Sequence, residues 1–315
     1  MSSPFLENLF SRAIDLASCV AVIVMPFTIV IIIRHTPRRM RHYSLFLLNM
    51  TAWNLAGNVV FSIFHPFPMM PLTCFKFVGF LQQSYHFNHE TLGHQLMFVI
   101  LLIAVNAACG IFVSFQFRYT SVAQFEWIRH INPMWGYAYC VFLHIFSSLL
   151  TIFIYRIFQI SIVEYGITDP SVDVTNLFCF YPSGFNKSFP IASFFVFFVI
   201  VLTAVVTFFT LCFSKLQSAK IVLNTKTVRL QRSLLRNLVV LTSIPFFLAG
   251  IPFLIVIATV YFNEFPYSRL FCVLAFIPII NHGAIMCIAT LAMFKNYREV
   301  VCGMTKRIFR KKSTT

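Results

Sequence analysis

The chain has 315 residues, of which 59% are hydrophobic and only 10% charged, with a mean hydropathy of +0.82 and a formal charge of +15. Soluble globular domains carry about 25% charged residues, so this composition excludes that class and marks an integral membrane protein. Forty phenylalanines and fourteen prolines, both well tolerated in lipid-spanning helices, point the same way.

Crossing the hydrocarbon core takes about 20 consecutive apolar residues. Seven stretches free of Asp, Glu, Lys and Arg reach roughly that length: 16–33, 44–64, 95–117, 131–155, 188–214, 237–262 and 270–294. A helix is the only open-chain element that satisfies its own backbone in lipid, and barrel-type strand alternation is absent. The expected fold is an all-α membrane protein, a seven-transmembrane helix bundle with spans at about 13–34, 43–65, 90–118, 133–157, 188–214, 236–262 and 270–294. These form one seven-transmembrane domain over 1–300, followed by a basic cytoplasmic tail over 301–315.

In chain order, the first span has Asp15 at its outer margin and Pro26 inside it. Its apolar run is too long for a cleavable signal peptide and lacks a basic amino flank and a small-residue cleavage site, so the span is expected to direct its own insertion. Next comes HTPRRMRHYSLFLLN, with Arg38, Arg39 and Arg41 against an apolar run. The second span offers Asn49, Trp53, Asn54 and Asn58; Asn54 and Asn58, four apart, share a helix face. The sequon Asn49-Met50-Thr51 lies within that span and is set aside. Residues 66–88 are apolar but broken by Pro66, Pro68, Pro71 and Lys76. They read as an outer loop with a helical approach to the third span, the alternative being a half-buried re-entrant turn.

The third span carries Gln95 and Asn106 and ends at Arg118; the fourth carries His144. Most cysteines fall inside spans and behave there as small apolar residues, but Cys74 and Cys179 fall in outer loops, an oxidising environment. A bridge between them would pin the long second outer loop to the start of the third helix; two free thiols are the alternative. That loop also holds the glycosylation sequon Asn186-Lys187-Ser188. The sixth span contains IPFFLAGIPF, two prolines seven apart beside Gly250, a soft place where a kink can act as a hinge. The seventh offers Asn281 and His282, and Cys302 beyond it is a candidate palmitoylation site. Intramembrane amides of this kind most often act as interhelical glue; a hydrated network or a ligand pocket are the other readings.

With the amino terminus outside, the inner loops and tail hold 19 basic and 2 acidic groups, the outer segments 5 basic and 7 acidic. Cytoplasmic loops are enriched in Lys and Arg, so this split fixes the orientation, and an eighth span at 66–88 would place the third loop and the tail on opposite sides. The +15 therefore calls for no nucleic acid; it is an inner surface. In the third inner loop, basic groups at Lys226, Arg229, Arg232 and Arg236 form a stripe on an inward extension of the sixth helix, suited to anionic headgroups or to a cytoplasmic partner.

No span has an acidic residue at its middle, which speaks against a pump or cation-coupled transporter. His144 and His282 are too few for a metal site, and no GxSxG, HExxH or phosphate-binding glycine loop occurs. No enzyme activity, cofactor or metal is expected.

Seven spans, an outer amino terminus and a basic third inner loop match a G-protein-coupled receptor by architecture, an analogy of fold. Local patterns narrow it. HTPRRMRHYSLFLLNMTAW, PFPMMPLTCFKFVG, FQFRYTSV, LQRSLLRNLVVLTSIPFFLAGIPF and HGAIMCIATLAMFKNYREVV, in that order, resemble the nematode serpentine chemoreceptors, the superfamily that includes serpentine receptor class h and related classes. The resemblance runs from about residue 20 to 300. It implies a plasma-membrane receptor of sensory neurons and their cilia, which detects an environmental small molecule and activates a heterotrimeric G protein. It puts Arg118 at the family's inner third-span arginine, holding the inactive bundle or meeting the G protein with Arg229, Arg232 and Arg236, and it makes Tyr297 and Arg298 the end of the seventh helix. Asp-Arg-Tyr, NPxxY and a mid-span acid in the second helix are all absent, so switching details of rhodopsin-like receptors do not transfer. Gln95, Asn106, His144 and Asn281 are the expected pocket-facing polar residues, and the aromatic content suits a lipophilic ligand. The rivals are a seven-span ligand-gated cation channel, whose amino terminus would lie inside, and a transporter, whose half-to-half repeats are missing.

Overall fold

The computed structural model describes residues 4–37, 41–79, 89–123, 132–167, 174, 176–218 and 225–312. Seven of its helices are long and apolar enough to cross a membrane. They are α1 (Pro4–His35), α2 (Arg41–Phe64), α3 (His89–Ala123), α4 (Pro133–Phe158), α5 (Phe185–Ser218), α6 and α7 (Ser268–Met293). The sixth runs Thr225–Pro245, passes through a π-helical turn at Phe246–Gly250, and continues as Ile251–Tyr261. Half of the most apolar window of α3 and of α7 is buried, against 6% for α5, so α3 and α7 form the centre and α5 faces lipid.

Local chemistry explains several boundaries. Asn132 caps α4 by accepting from Met134 N at 3.0 Å, with Pro133 in the first turn, where a missing N–H does no harm. The π turn in α6 sits between Pro245 and Pro252. Pro252 has no N–H for the carbonyl four back and its ring crowds that carbonyl; one wider turn, with Ile251 N–H bonded to Phe246 O, removes the conflict. The soft segment expected at IPFFLAGIPF is thus a π turn.

The region after α2 departs from the sequence reading. Residues 66–77 form two short strands, β1 (Pro66–Pro68) and β2 (Cys74–Phe77), and the proposed helical approach at 80–88 lies outside the described residues. With β3 (Gln159–Ile160) and β4 (Leu177–Phe180) they make an antiparallel sheet of order β1-β2-β4-β3. The prolines fit because β1 is an edge strand, where a missing donor is tolerated. Cys74 stands directly opposite Cys179 and the two are joined by a disulfide. A single helical turn, Ile162–Tyr165, begins at Ser161, whose hydroxyl accepts from Glu164 N, and ends at Gly166 in the left-handed region.

The sheet is no surface decoration. Phe67, Phe75, Phe77, Phe178 and Phe180 are buried in one apolar cluster with Phe10 and Ile14 of α1, Phe61 and Phe64 of α2, Tyr155 and Phe158 of α4, and Phe276 of α7. A second cluster at the other end joins Ile31 and Ile32, Leu47, Phe115, Leu238, Leu241 and Tyr297. By the loop charges, the sheet end is the outer one. Beyond α7, Phe294 breaks the helix with extended backbone and α8 (Lys295–Lys312) follows. This is a further correction: Tyr297 and Arg298 open a separate helix instead of ending the seventh, and residues 301–312 continue that helix.

Candidate functional site

Between α2, α3, α5, α6 and α7 lies a cavity of about 450 Å³, within the range of small-molecule pockets. Phe75 of β2, Phe180 of β4 and Phe158 at the end of α4 bound it on the sheet side, so the stapled sheet is its roof. Alanines 104, 107 and 108 of α3, with Phe198 of α5 and Phe246 and Phe253 of α6, make apolar walls. No Asp, Glu, Lys or Arg is among the lining residues; the polar ones are Trp53, Asn54 and Asn58 of α2, Thr242 and Ser243 of α6, and His282 of α7.

These groups are tightly arranged. His282 Nδ1 contacts the Ile279 carbonyl, which only accepts, so Nδ1 carries a proton. Its Nε2 lies 3.0 Å from Asn54 Oδ1. The neutral ring then presents Nε2 as an acceptor, which needs the Asn54 amide turned to place its N–H there. Asn58 Nδ2 donates to Asn54 O at 3.0 Å. Gly283 permits this closeness of α7 and α2: a Cβ there would stand 2.9 Å from Met25 Cε and 3.2 Å from Asn58 Nδ2.

None of the four expected pocket residues lines the cavity. Gln95 is exposed at the outer part of α3. Asn106 is buried toward α4, where its Oδ1 accepts from His144 Nδ1 at 2.6 Å and its Nδ2 donates to Ser148 Oγ at 3.1 Å. His144 Nε2 faces Asn49 Nδ2 at 3.5 Å, so a neutral imidazole serves α2, α3 and α4 together. Asn281 donates to the Ile277 carbonyl one turn back, while its neighbour His282 turns inward. The reason is rotational: adjacent residues diverge by about 100° around a helix, and in a helix apolar all round, polarity marks where a hydrogen-bond partner is rather than where the cavity is. Asn54, Asn58 and His282 were visible as intramembrane polar groups; their convergence was not.

The roof is tied to the helix ends by polar contacts. Lys76 of β2 bonds Glu7 of α1 at 3.0 Å. Glu90 in the first turn of α3 accepts from Ile162 N at 2.7 Å, and Arg269 and Asn263 donate to the Met70 and Pro71 carbonyls. Lys187, buried in the first turn of α5, donates to Asn263 Oδ1 at 2.7 Å. His65, at positive φ between α2 and β1, meets Ser11 Oγ at 3.1 Å and Asp15 at 3.6 Å. Burial holds its pKa below the usual histidine value, against the opposing pull of Asp15 and the Ser62 backbone. Asn186, expected in the loop, is drawn into helix because α5 starts at Phe185, after Gly184 in the left-handed region.

At the inner end, Arg118 is buried on α3 and Arg236 is exposed on α6. Arg229 and Arg232 lie on the helical inward extension of α6, which begins at Thr225, though their side chains fall outside the described residues. Tyr297 is buried, and its hydroxyl donates to Thr36 Oγ1 at 2.7 Å, since Thr36 gives its own proton to Ile32 O. Burial raises the Tyr297 pKa, with the Thr36 bond opposing. Arg298 donates to the Ala292 carbonyl at the end of α7, a favourable place for a cation. Cys302 is exposed on α8.

Compared with known proteins, residues 6–307 match the sequence model of one family, described as serpentine type 7TM GPCR chemoreceptor Srh. No curated protein matches the chain.

Proposed function

This chain belongs to the Srh family of serpentine seven-transmembrane chemoreceptors, and from that premise we propose that it detects an uncharged, lipophilic small molecule in its central cavity and activates a heterotrimeric G protein. The observation that carries the reading is the roofed cavity of about 450 Å³ without a formal charge in its wall. Burying a charged ligand there without a counter-charge would be expensive, whereas aromatic and aliphatic walls favour an apolar one.

The coupling step follows from how α6 is built. Its π turn borders the cavity, and its inner part packs against α7 and carries the basic extension. A ligand shifts a conformational equilibrium by its difference in affinity between two states. One that prefers a repacked Phe246–Gly250 would favour outward movement of the inner half of α6. That movement would uncover Arg118 and bring Arg229, Arg232 and Arg236 to the G protein. Placement in sensory cilia, a glycan on Asn186 and an acyl chain on Cys302 belong to the same proposal.

The test is nucleotide exchange on a panel of G proteins in membranes holding the receptor, with volatile uncharged compounds and with organic ions matched in size. Stimulation by uncharged compounds, lost when Ala107→Trp fills the cavity, is the expected result. A response confined to ionic compounds, or one untouched by filling the cavity, would overturn the reading.

A further inference from the structure

We propose that the ligand of this cavity has an apolar body and one hydroxyl or N–H group, which donates a hydrogen bond to Oδ1 of Asn58. The inference rests on the cavity being the ligand site. Asn58 lines the cavity and is only 4% exposed. Its Nδ2 donates to the Asn54 carbonyl, and because that carbonyl only accepts, the two ends of the Asn58 amide cannot be exchanged. The remaining end is the acceptor Oδ1, and no group among the described residues bonds to it. Oδ1 is itself almost without accessible surface, and more than about 90% of buried polar groups find a partner, so an orphan on a residue of the cavity wall points to a ligand that the wall adjusts to admit.

Apart from the Trp53 indole N–H, the polar side chains of the wall already have their donors engaged. Thr242 gives its proton to the Leu238 carbonyl at 2.8 Å and Ser243 gives its own to Val240 O at 2.8 Å. His282 Nδ1 is held by Ile279 O, and Asn54 faces His282 and the Met286 sulfur. The donor therefore comes with the ligand. An ammonium would donate as well, but the wall offers no carboxylate to balance it. A carboxylate would set acceptor against acceptor. A neutral alcohol, phenol or indole-type N–H fits both the wall and the amide.

The experiment uses the purified full-length receptor in nanodiscs and three matched probe series: C6–C12 normal alcohols, their methyl ethers, and methyl ketones of equal length. Affinity is read from ligand-induced thermal stabilisation, which needs no G protein. The expected result is that alcohols bind about tenfold more tightly than ethers of equal length, the factor worth one hydrogen bond of about 1.4 kcal/mol. Asn58→Leu, close in volume, should lose the alcohol preference, alcohols and ethers of equal length then binding alike; a cooperative thermal transition is the control for folding. Equal binding of alcohols and ethers, as a site holding only a structural water would give, overturns the donor inference while leaving the cavity reading intact. A preference for ketones overturns it in favour of the Trp53 indole N–H. Failure of all three series to bind overturns the cavity reading itself, and this inference with it.

Discussion

At the outer end, a four-stranded sheet, a disulfide and an interlocked phenylalanine cluster close the bundle, and each charged side chain described above reaches a partner on another element. At the inner end, basic groups far outnumber acidic ones, α6 extends inward as a basic helix, and α8 is attached through Tyr297 and Arg298. The difference follows from two solvents of different demand. Outside, the fold must hold a roof over an apolar cavity, which needs many mutually supporting contacts. Inside, basic groups are in excess along a helix that passes into a π turn, and under the proposed coupling that surface serves a partner. The lesson is that rigidity and responsiveness are divided along the membrane normal.

The largest effect should come from breaking the roof. Cys74 and Cys179 lie 105 residues apart in sequence, and a bridge across so long a loop stabilises a soluble protein by about 4–5 kcal/mol in the chain-entropy picture. The intervening spans are already confined by lipid, so about 2–3 kcal/mol is expected for the Cys74→Ser/Cys179→Ser pair, seen as a lower Tm and at least tenfold weaker binding in the cavity. An unchanged Tm would mean that the phenylalanine cluster alone holds the roof and would erase the contrast between the two ends.

Next is the network at the flank of the bundle. Replacing Asn106 with Leu leaves the His144 N–H and the Ser148 hydroxyl without their amide partner. Interhelical hydrogen bonds in membranes average about 0.6 kcal/mol, and the orphaned donor adds to that, so about 1–2 kcal/mol of stability should be lost. Binding to the cavity should stay within about twofold, because Asn106 faces α4. A large loss of affinity at normal Tm would return Asn106 to the ligand site.

How far these regions were legible from the residues differs for physical reasons. Span number was readable because lipid thickness sets a length; orientation is a reading from the way membranes sort Lys and Arg. Arg34, Arg38, Arg39 and Arg41 give the first inner loop that signal. The facing of each span was not, since α3 is apolar on every side and its single Asn106 turned to His144 instead of the cavity. The sheet was hidden by its prolines, and by strands of only two to four residues. The start of α8 after Phe294 was hidden because the Tyr-Arg pair looked like the close of α7.

The inner end is sharpened by Tyr297→Phe, which removes the one hydroxyl contact described between α8 and the end of α1 while keeping the ring packed on Phe294. About 1 kcal/mol is expected, and Thr36→Val in a double-mutant cycle should show that most of it belongs to the pair. If the fold is loosened locally, nucleotide exchange without ligand should rise as the Tm falls. A Tm drop as large as that of the disulfide variant would show the inner end to be no softer than the outer.

The smallest effect is a pH dependence confined to the outer end. His65 is buried, and burial keeps its pKa below that of an unfolded histidine despite the Asp15 carboxylate 3.6 Å away. The folded state therefore binds fewer protons than the unfolded state below about pH 6.5, and stability must rise with pH through that window. Full stability is present above about pH 6.5 and is lost as the pH falls from there toward the lowered folded value. Because Asp15 offsets part of the effect of burial, the slope should be shallow, about 1–2 °C in Tm between pH 7 and 5.5. His65→Asn is the informative variant, since asparagine tolerates the positive φ of this position and cannot take up a proton. The difference between the two pH curves should vanish above pH 7 apart from a constant offset. A wild-type curve that rises on acidification would instead mean that the Asp15 pair dominates, making the outer seam between α1 and α2 a contact that tightens with protons.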